Sequence, residues 1–129
     1  MTLEEALLAD LTGNAAAVVA IAGTRGYPEL IPAGVEMPAW AYQTISANRE
    51  PAHDGPTGMT EQVIQITCQA ATYGEAKALA RAIRARWHGY RGTRGVQVFR
   101  AVVDNDQDGL ADEDGATVRV DISVFYAEE

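Results

Sequence analysis

Hydrophobic and polar residues alternate along two segments of the chain, and a period of two predicts β-strands. The regular segments are 117–126, with Val118, Val120 and Ile122 on its apolar side, and 63–70, with Ile64 and Ile66 on its apolar side. Segment 39–46, where aromatic and polar residues mix, is a third clear strand candidate, and 96–103 is a fourth, less regular one. Because only one side of each regular segment is apolar, we expect an antiparallel sheet with one buried face.

Near the N-terminus, apolar residues recur at helical spacing: Leu3, Leu7, Leu8 and Leu11. Thr2 stands just before these residues, and Glu5 follows it at the spacing of a capping box, in which the side chain of each residue accepts a hydrogen bond from the backbone N–H of the other. Gly13 is expected to end the helix, and Asn14 to cap a short second helix.

A longer helix is predicted between Thr72, which forms a second capping box with Glu75, and Gly89. Its apolar stripe consists of Ala76, Leu79, Ala80, Ile83 and Trp87. The outward face carries Lys77, Arg81, Arg84 and His88.

Glycine and proline punctuate residues 23–38, where one short edge strand is expected around residues 27–30. The elements together predict one α+β domain over residues 1–129. We expect a mostly antiparallel sheet of about four to five strands, with two to three helices packed on one face.

Composition agrees with a globular domain, since 47% of the 129 residues are hydrophobic and 22% are charged. Cys68 is the single cysteine and lies on the apolar side of its strand, so we expect a buried structural thiol and no internal disulfide. The acidic first residues and the lack of a long apolar run predict neither a signal peptide nor a membrane partner.

Charge is unevenly distributed along the chain. Ten basic and 18 acidic residues give a net charge of −8, and six of the acids fall within residues 104–114, which hold no base. The opposite bias occurs where Glu75 is the only acid near a group of bases: Lys77, Arg81, Arg84, Arg86, Arg91 and Arg94. A net negative chain is poorly suited to autonomous binding of nucleic acid.

Catalytic groups are sparse. His53 and His88 have no second histidine three or four positions away, so the sequence offers no local zinc pair. Phosphate-binding glycine loops, nucleophile elbows and metalloprotease motifs do not occur. The sequence therefore predicts no catalytic residues, and a small enzyme ranks below the other interpretations.

The acidic stretch contains the one sharp motif. Asp104, Asp106 and Asp108 alternate before Gly109, and Asp112 stands at the ninth position, as in the opening of a calcium-binding EF-hand loop. Gly115 replaces the glutamate expected at the twelfth position, and a strand precedes the loop in place of a helix. Two interpretations stay open: a calcium site in an acidic loop, residues 104–114, serving a small interaction module, or a solvated turn between strands. No other cofactor is expected.

The charge segregation also predicts contacts between copies of the chain. A basic helix face with Lys77, Arg81 and Arg84, and an acidic loop on the same domain, would favour head-to-tail assembly. The long loop 48–60 is a second candidate contact, because recognition concentrates on loops; its candidate residues are Arg49, His53, Asp54 and Met59.

The order of segments resembles the tail completion (tail terminator) family of long-tailed bacteriophages and related gene transfer particles. The resemblance includes the N-terminal leucine helix, residues 24–28, 37–46 and 53–58, and the closing strand through Tyr126. It is strongest over residues 63–76, where a strand passes directly into a capped helix.

This resemblance implies a non-enzymatic virion protein that forms a hexameric ring at the head-proximal end of a tail. Such a ring would stop growth of the tail tube, bind the tube protein and the head–tail connector, and let double-stranded DNA pass through its lumen without sequence recognition. It would assemble in the cytoplasm of a bacterial host. The family has no catalytic residues to carry over.

Overall fold

A six-stranded sheet with helices packed on one face forms the molecule. The computed structural model describes residues 2–49, 59–94, 96–112 and 115–127. The helices are α1 (Leu3–Ala9), a π-helical turn (Asp10–Asn14), α2 (Ala16–Ala22) and α3 (Tyr73–Trp87). The strands are β1 (Gly26–Pro28), β2 (Ala39–Arg49), β3 (Met59–Ala70), β4 (Gly92–Arg94), β5 (Val96–Asp112) and β6 (Gly115–Ala127).

The strand order across the sheet is β1-β2-β3-β6-β5-β4. The α+β class and the one-sided helix packing agree with the sequence prediction, but the sheet is larger and mixed. β1 pairs parallel to β2, whereas the other neighbours are antiparallel. The prediction of four to five strands omitted β4, because its three residues, Gly92, Thr93 and Arg94, carry no alternation of apolar and polar side chains.

Alternate positions of the two central strands form the floor of the core. Ile64, Ile66 and Cys68 of β3 are fully buried, and β6 contributes its own buried series at Val118, Val120 and Ile122. Register pairs Ile64 with Ile122, so the two series lie side by side on one face. The predicted buried thiol of Cys68 is confirmed.

Helix α3 covers this floor with the predicted stripe, all five of whose members are buried: Ala76, Leu79, Ala80, Ile83 and Trp87. The Glu75 N–H donates to Thr72 Oγ1 at 3.3 Å, so Thr72 is the N-cap, but the predicted capping box is incomplete, because the Glu75 side chain makes no bond back to the Thr72 backbone. The helix ends at Trp87, and Gly89 follows with a φ of 79°, a left-handed conformation that favours glycine.

The N-terminal helices depart from the prediction. The capping box of Thr2 and Glu5 is present. However, the chain does not leave the helix at Gly13, and Asn14 caps nothing; Ala15 precedes α2 without a side-chain cap. A π-type bond from the Ala15 N–H to the Asp10 carbonyl, 2.9 Å long, continues the helical path. The wider turn keeps Leu11 and Ala15 buried, so core packing outweighs the stop signal.

The acidic segment is also different from the prediction, because its backbone is strand through Asp112 and not a loop over 104–114. β5 pairs with β6 as far as Asp112 opposite Gly115, with register shifts after Val103 and Asp108. The long, regular β6 exposes backbone donors and acceptors that a neighbouring strand satisfies. Pairing along β6 therefore overrides the turn preference of Asp and Gly.

The loop predicted over residues 48–60 is likewise shorter at both ends. Arg49 belongs to β2 and pairs with Thr60 of β3, which begins at Met59. Among the described residues, no single helix is long and apolar enough to cross a membrane; Leu3–Asn14 and Ala16–Ala22 meet that test only as a pair bent by 80°.

Candidate interaction surfaces

The outward face of α3 is basic, as predicted. Arg81 and Arg84 are exposed, and Lys77 is half-buried with its Nζ 5.8 Å from the centre of the Tyr73 ring. Within the described parts of the chain, no carboxylate forms an ion pair with Arg81 or Arg84. These guanidinium groups are therefore available to bind an acidic partner.

One arginine of α3 has a structural role instead. Arg86 donates two hydrogen bonds to Asp10, 2.7 Å and 3.0 Å long, and the Asp10 side chain is 97% buried. The bond to Asp10 raises the pKa of Arg86, against a smaller opposing effect of burial. This bidentate pair attaches α3 to the π-helical turn.

A basic groove lies where α3 ends against β5. It has a volume of about 500 Å³ and is lined by His88, Gly89, Arg91, Phe99, Arg100, Ala101 and Val102. The Val103 N–H donates to His88 Nδ1 at 3.0 Å, and the Gly89 N–H donates to the Ala101 carbonyl at 2.8 Å. The groove therefore has a fixed wall, where His88 Nδ1 accepts a hydrogen bond and Nε2 is left as the donor of the ring.

The face of the sheet opposite the helices has a different character. Gln65, Thr67 and Gln69 of β3 are half-buried there, beside the exposed Arg119 of β6. With the segment that follows β1 they line a shallow groove of about 350 Å³. Leu30, which is 78% exposed, borders it. This surface is mostly uncharged and hydrogen-bonding.

A buried polar cluster holds α1 on the edge of the core. Gln62 donates from Nε2 to Thr44 Oγ1 at 2.8 Å and to a carboxylate oxygen of Glu4. Its Oε1 accepts a 2.8 Å bond from the Tyr126 hydroxyl. Burial, with the charges of Glu4 and Glu5, raises the pKa of Tyr42 nearby. Both polar atoms of the Gln62 side chain are thus hydrogen-bonded within the core.

Several predicted site residues cannot be placed. His53 and Asp54 lie outside the described residues, and so do the side chains of Arg49 and Met59. The same holds for the carboxylates of Asp104, Asp106, Asp108 and Asp112, whose backbone alone is described. In the described part of the chain, no three His, Cys, Asp or Glu side chains cluster as metal ligands would.

Sequence patterns missed the groove because its residues come from separate elements. Arg91 and Arg100 are nine positions apart, and only the pairing of β4 with β5 brings their segments together. Gln62 could have been found from the sequence. It lies two positions before Ile64 and four before Ile66, on the buried side of β3, and a polar side chain there requires hydrogen-bond partners in the core.

These features define a small α+β protein whose charged helix and grooves are suited to contacts with other macromolecules. The model of the family Tail completion protein gp17 matches residues 5–126, nearly the whole chain. The protein therefore belongs to this tail completion family, whose members are structural proteins of phage tails.

A solved structure has the same fold. It is a chain from a structure described as the virion of a native gene transfer agent (GTA) particle, with a TM-score of 0.67 and 20% sequence identity. The match covers 96% of this chain and 93% of that one. Comparison with curated proteins finds no match.

Proposed function

We propose that this protein forms a closed ring at the head-proximal end of a phage-like tail. There it would end growth of the tail tube and join the tail to the head connector. The observation that carries the proposal is the family match over residues 5–126. The proposed partners are further copies of the chain, forming a hexamer, together with the tail tube protein and the head–tail connector.

Distribution of charge supports assembly of this kind. A ring needs two different surfaces on each subunit, related by a repeated rotation. The exposed Arg81 and Arg84 of α3, with Lys77, offer one basic surface that can bind an acidic one. We propose that this face contributes to contacts in the tail, as does the segment from Arg49 to Met59 that includes His53 and Asp54.

Net charge supports passage of DNA. The chain carries −8, so a ring of copies would repel phosphates and would not retain the genome as it passes through the lumen. The proposed role is geometric, and it needs neither a catalytic residue nor a cofactor. Assembly would take place in the bacterial host before the tail joins the head.

Deletion of the gene for this protein tests the proposal. Particles made without this protein should have tails of irregular length that are not attached to heads, as seen by electron microscopy of the lysate. A plasmid copy of the wild-type gene should restore uniform, attached tails. Normal tails with attached heads in the deletion would contradict the proposed role.

A matched substitution separates folding from assembly in the same experiment. Arg84→Glu changes an exposed side chain on α3 and should leave the melting temperature unchanged. If the α3 face contacts another tail component, this variant should restore tails less well than the wild-type gene. Full restoration would remove Arg84 from the contact surface.

A further inference from the structure

Opposite charges lie toward opposite ends of one strand. Residues 76–103 contain seven basic residues and no acid, whereas residues 104–114 contain six acids and no base. The switch falls inside β5, which begins beside β4 and ends paired with the start of β6. The basic groove lies at the first end, and the acidic half of the strand leads to the other.

A chain cannot fill its own groove with its acidic end. Arg100 and Asp112 are both in β5, and 12 residues of strand extend roughly 40 Å at ~3.3 Å per residue. Register shifts shorten this span slightly but do not fold it back. The acidic end of β5 can therefore reach a groove of this kind only in a second molecule.

The groove has the chemistry to hold such a segment. Arg91 and Arg100 are exposed on its lining, and no described carboxylate forms an ion pair with either. His88 is held by the Val103 N–H and adds an Nε2–H donor. Arginines bind carboxylates through paired hydrogen bonds, so two acids a few residues apart would suit this site.

The remaining lining matches the sequence between those acids. Phe99, Ala101 and Val102 give the groove an apolar part. The end of β5 reads Asp108-Gly109-Leu110-Ala111-Asp112, with two apolar residues between aspartates. In sequence, two acids thus flank a short apolar stretch, which complements the two arginines and the apolar lining of the groove.

We infer that the groove of one subunit binds residues 108–112 of the next subunit. This head-to-tail contact rests on the proposed ring and specifies its interface. It is heterologous, since groove and acidic end are different surfaces, and its repetition closes a ring when the rotation between subunits divides a full turn. The contact also sets the direction in which subunits follow one another.

Charge reversal tests this contact. Arg91→Glu with Arg100→Glu reverses the groove, and Asp108→Arg with Asp112→Arg reverses the acidic end. Each double variant alone should self-associate about 10- to 100-fold more weakly than wild type in sedimentation velocity, because like charges then meet. A 1:1 mixture of the two should recover association, since each groove again meets an opposite charge.

Two controls accompany the test. Glu36→Lys changes the net charge by +2, half the change of the acidic-end double variant, at an exposed residue between β1 and β2, and should leave association unchanged. Melting temperatures of all variants establish that they fold. Association is measured for the free chain and for the chain bound to tail tubes isolated from the deletion strain.

The outcomes separate this inference from the proposed function. If both reversed variants form rings as the wild type does, or if their mixture fails to recover association, the groove contact is overturned and the proposed ring is unaffected. A wild-type chain that stays monomeric both free and on tail tubes would overturn both. Groove variants that assemble normally but lose retention on immobilised double-stranded DNA would assign the groove to phosphate and overturn the contact.

Discussion

At the scale of single residues, buried polar groups contribute more to the stability of the fold than exposed charges do. Asp10 is almost fully buried and is paired with Arg86, whereas Arg84, two residues earlier in α3, is exposed. Both arginines look alike in the sequence. The difference between them is the carboxylate that the π-helical turn brings beside one of them.

Arg86→Leu should therefore lower the free energy of unfolding by about 2–3 kcal/mol, because it removes the guanidinium that neutralises the buried Asp10 carboxylate. The loss is less than for a fully buried pair, since the Arg86 side chain is 31% exposed. Urea unfolding measures the effect. Arg84→Leu is the matched control and should change stability by less than about 0.5 kcal/mol. Equal losses in the two variants would contradict a structural role for the pair.

Glu5 gives a prediction for pH. The backbone N–H of Thr2 and then its hydroxyl, 3.2 Å and 3.0 Å from Glu5 Oε1, lower the pKa of Glu5 below its ordinary value of 4.5. Since the folded pKa is the lower one, ionised Glu5 stabilises the fold above pH 4.5, and this stabilisation is lost as pH falls through the folded pKa.

The stability difference between wild type and Glu5→Gln should thus be largest near neutral pH and shrink on acidification below about pH 4.5. Thermal unfolding across this pH range measures it. Glu36→Gln, on an exposed segment, serves as the comparison variant. A difference that stays constant with pH would show that the capping bonds do not depend on the charge of Glu5.

At the scale of elements, the start of β6 depends on one glycine. Gly115 has a φ of 130°, and a Cβ there would meet the carbonyl oxygen of Ala70 at the end of β3. The glycine thus lets the start of β6 and the end of β3 approach closely. A side chain would force both an unfavourable backbone conformation and a clash with rigid backbone.

Gly115→Ala should lower stability by about 2–4 kcal/mol, as the sum of backbone strain and overpacking. Chemical denaturation measures the loss. Gly74→Ala, in the first turn of α3, adds the same methyl group where no heavy atom lies within 4 Å, and should be neutral or slightly stabilising. Similar behaviour of both variants would contradict the close approach at Gly115.

The acidic half of β5 gives a prediction about calcium. The backbone of residues 104–108 is an extended strand, in which residues two apart are separated by roughly 6.6 Å along the chain, whereas a calcium loop curves around the ion; the backbone therefore does not favour a calcium site. We expect the melting temperature to be the same with millimolar calcium and with chelator. A calcium-dependent rise that Asp106→Asn removes would restore the calcium interpretation.

At the scale of the whole molecule, charge segregation makes assembly dependent on salt. Arg91 and Arg100 lie toward one end of β5 and the aspartates toward the other. Exposed charges attract over about 10 Å at 0.1 M salt and over about 3 Å at 1 M. The contact proposed between subunits should therefore weaken as salt rises.

Self-association measured by sedimentation should fall progressively between low and high sodium chloride. An uncharged osmolyte at equal osmolarity should not reproduce the fall. Oligomers that stay equally abundant at high salt would indicate that the subunits associate through apolar side chains instead, such as Leu30 or Phe99.

The sequence by itself determined the one-sided strands, the buried stripe of α3 and its N-cap at Thr72, because period and capping are local properties of the chain. Only the tertiary structure decided that Gly13 lies within a continuing helical path and that the aspartates after Val103 continue a strand. In both places a distant partner, the core or β6, outweighs the local preference. The basic groove belongs to the same class, since His88 and Arg100 come together only when β5 packs beside the end of α3.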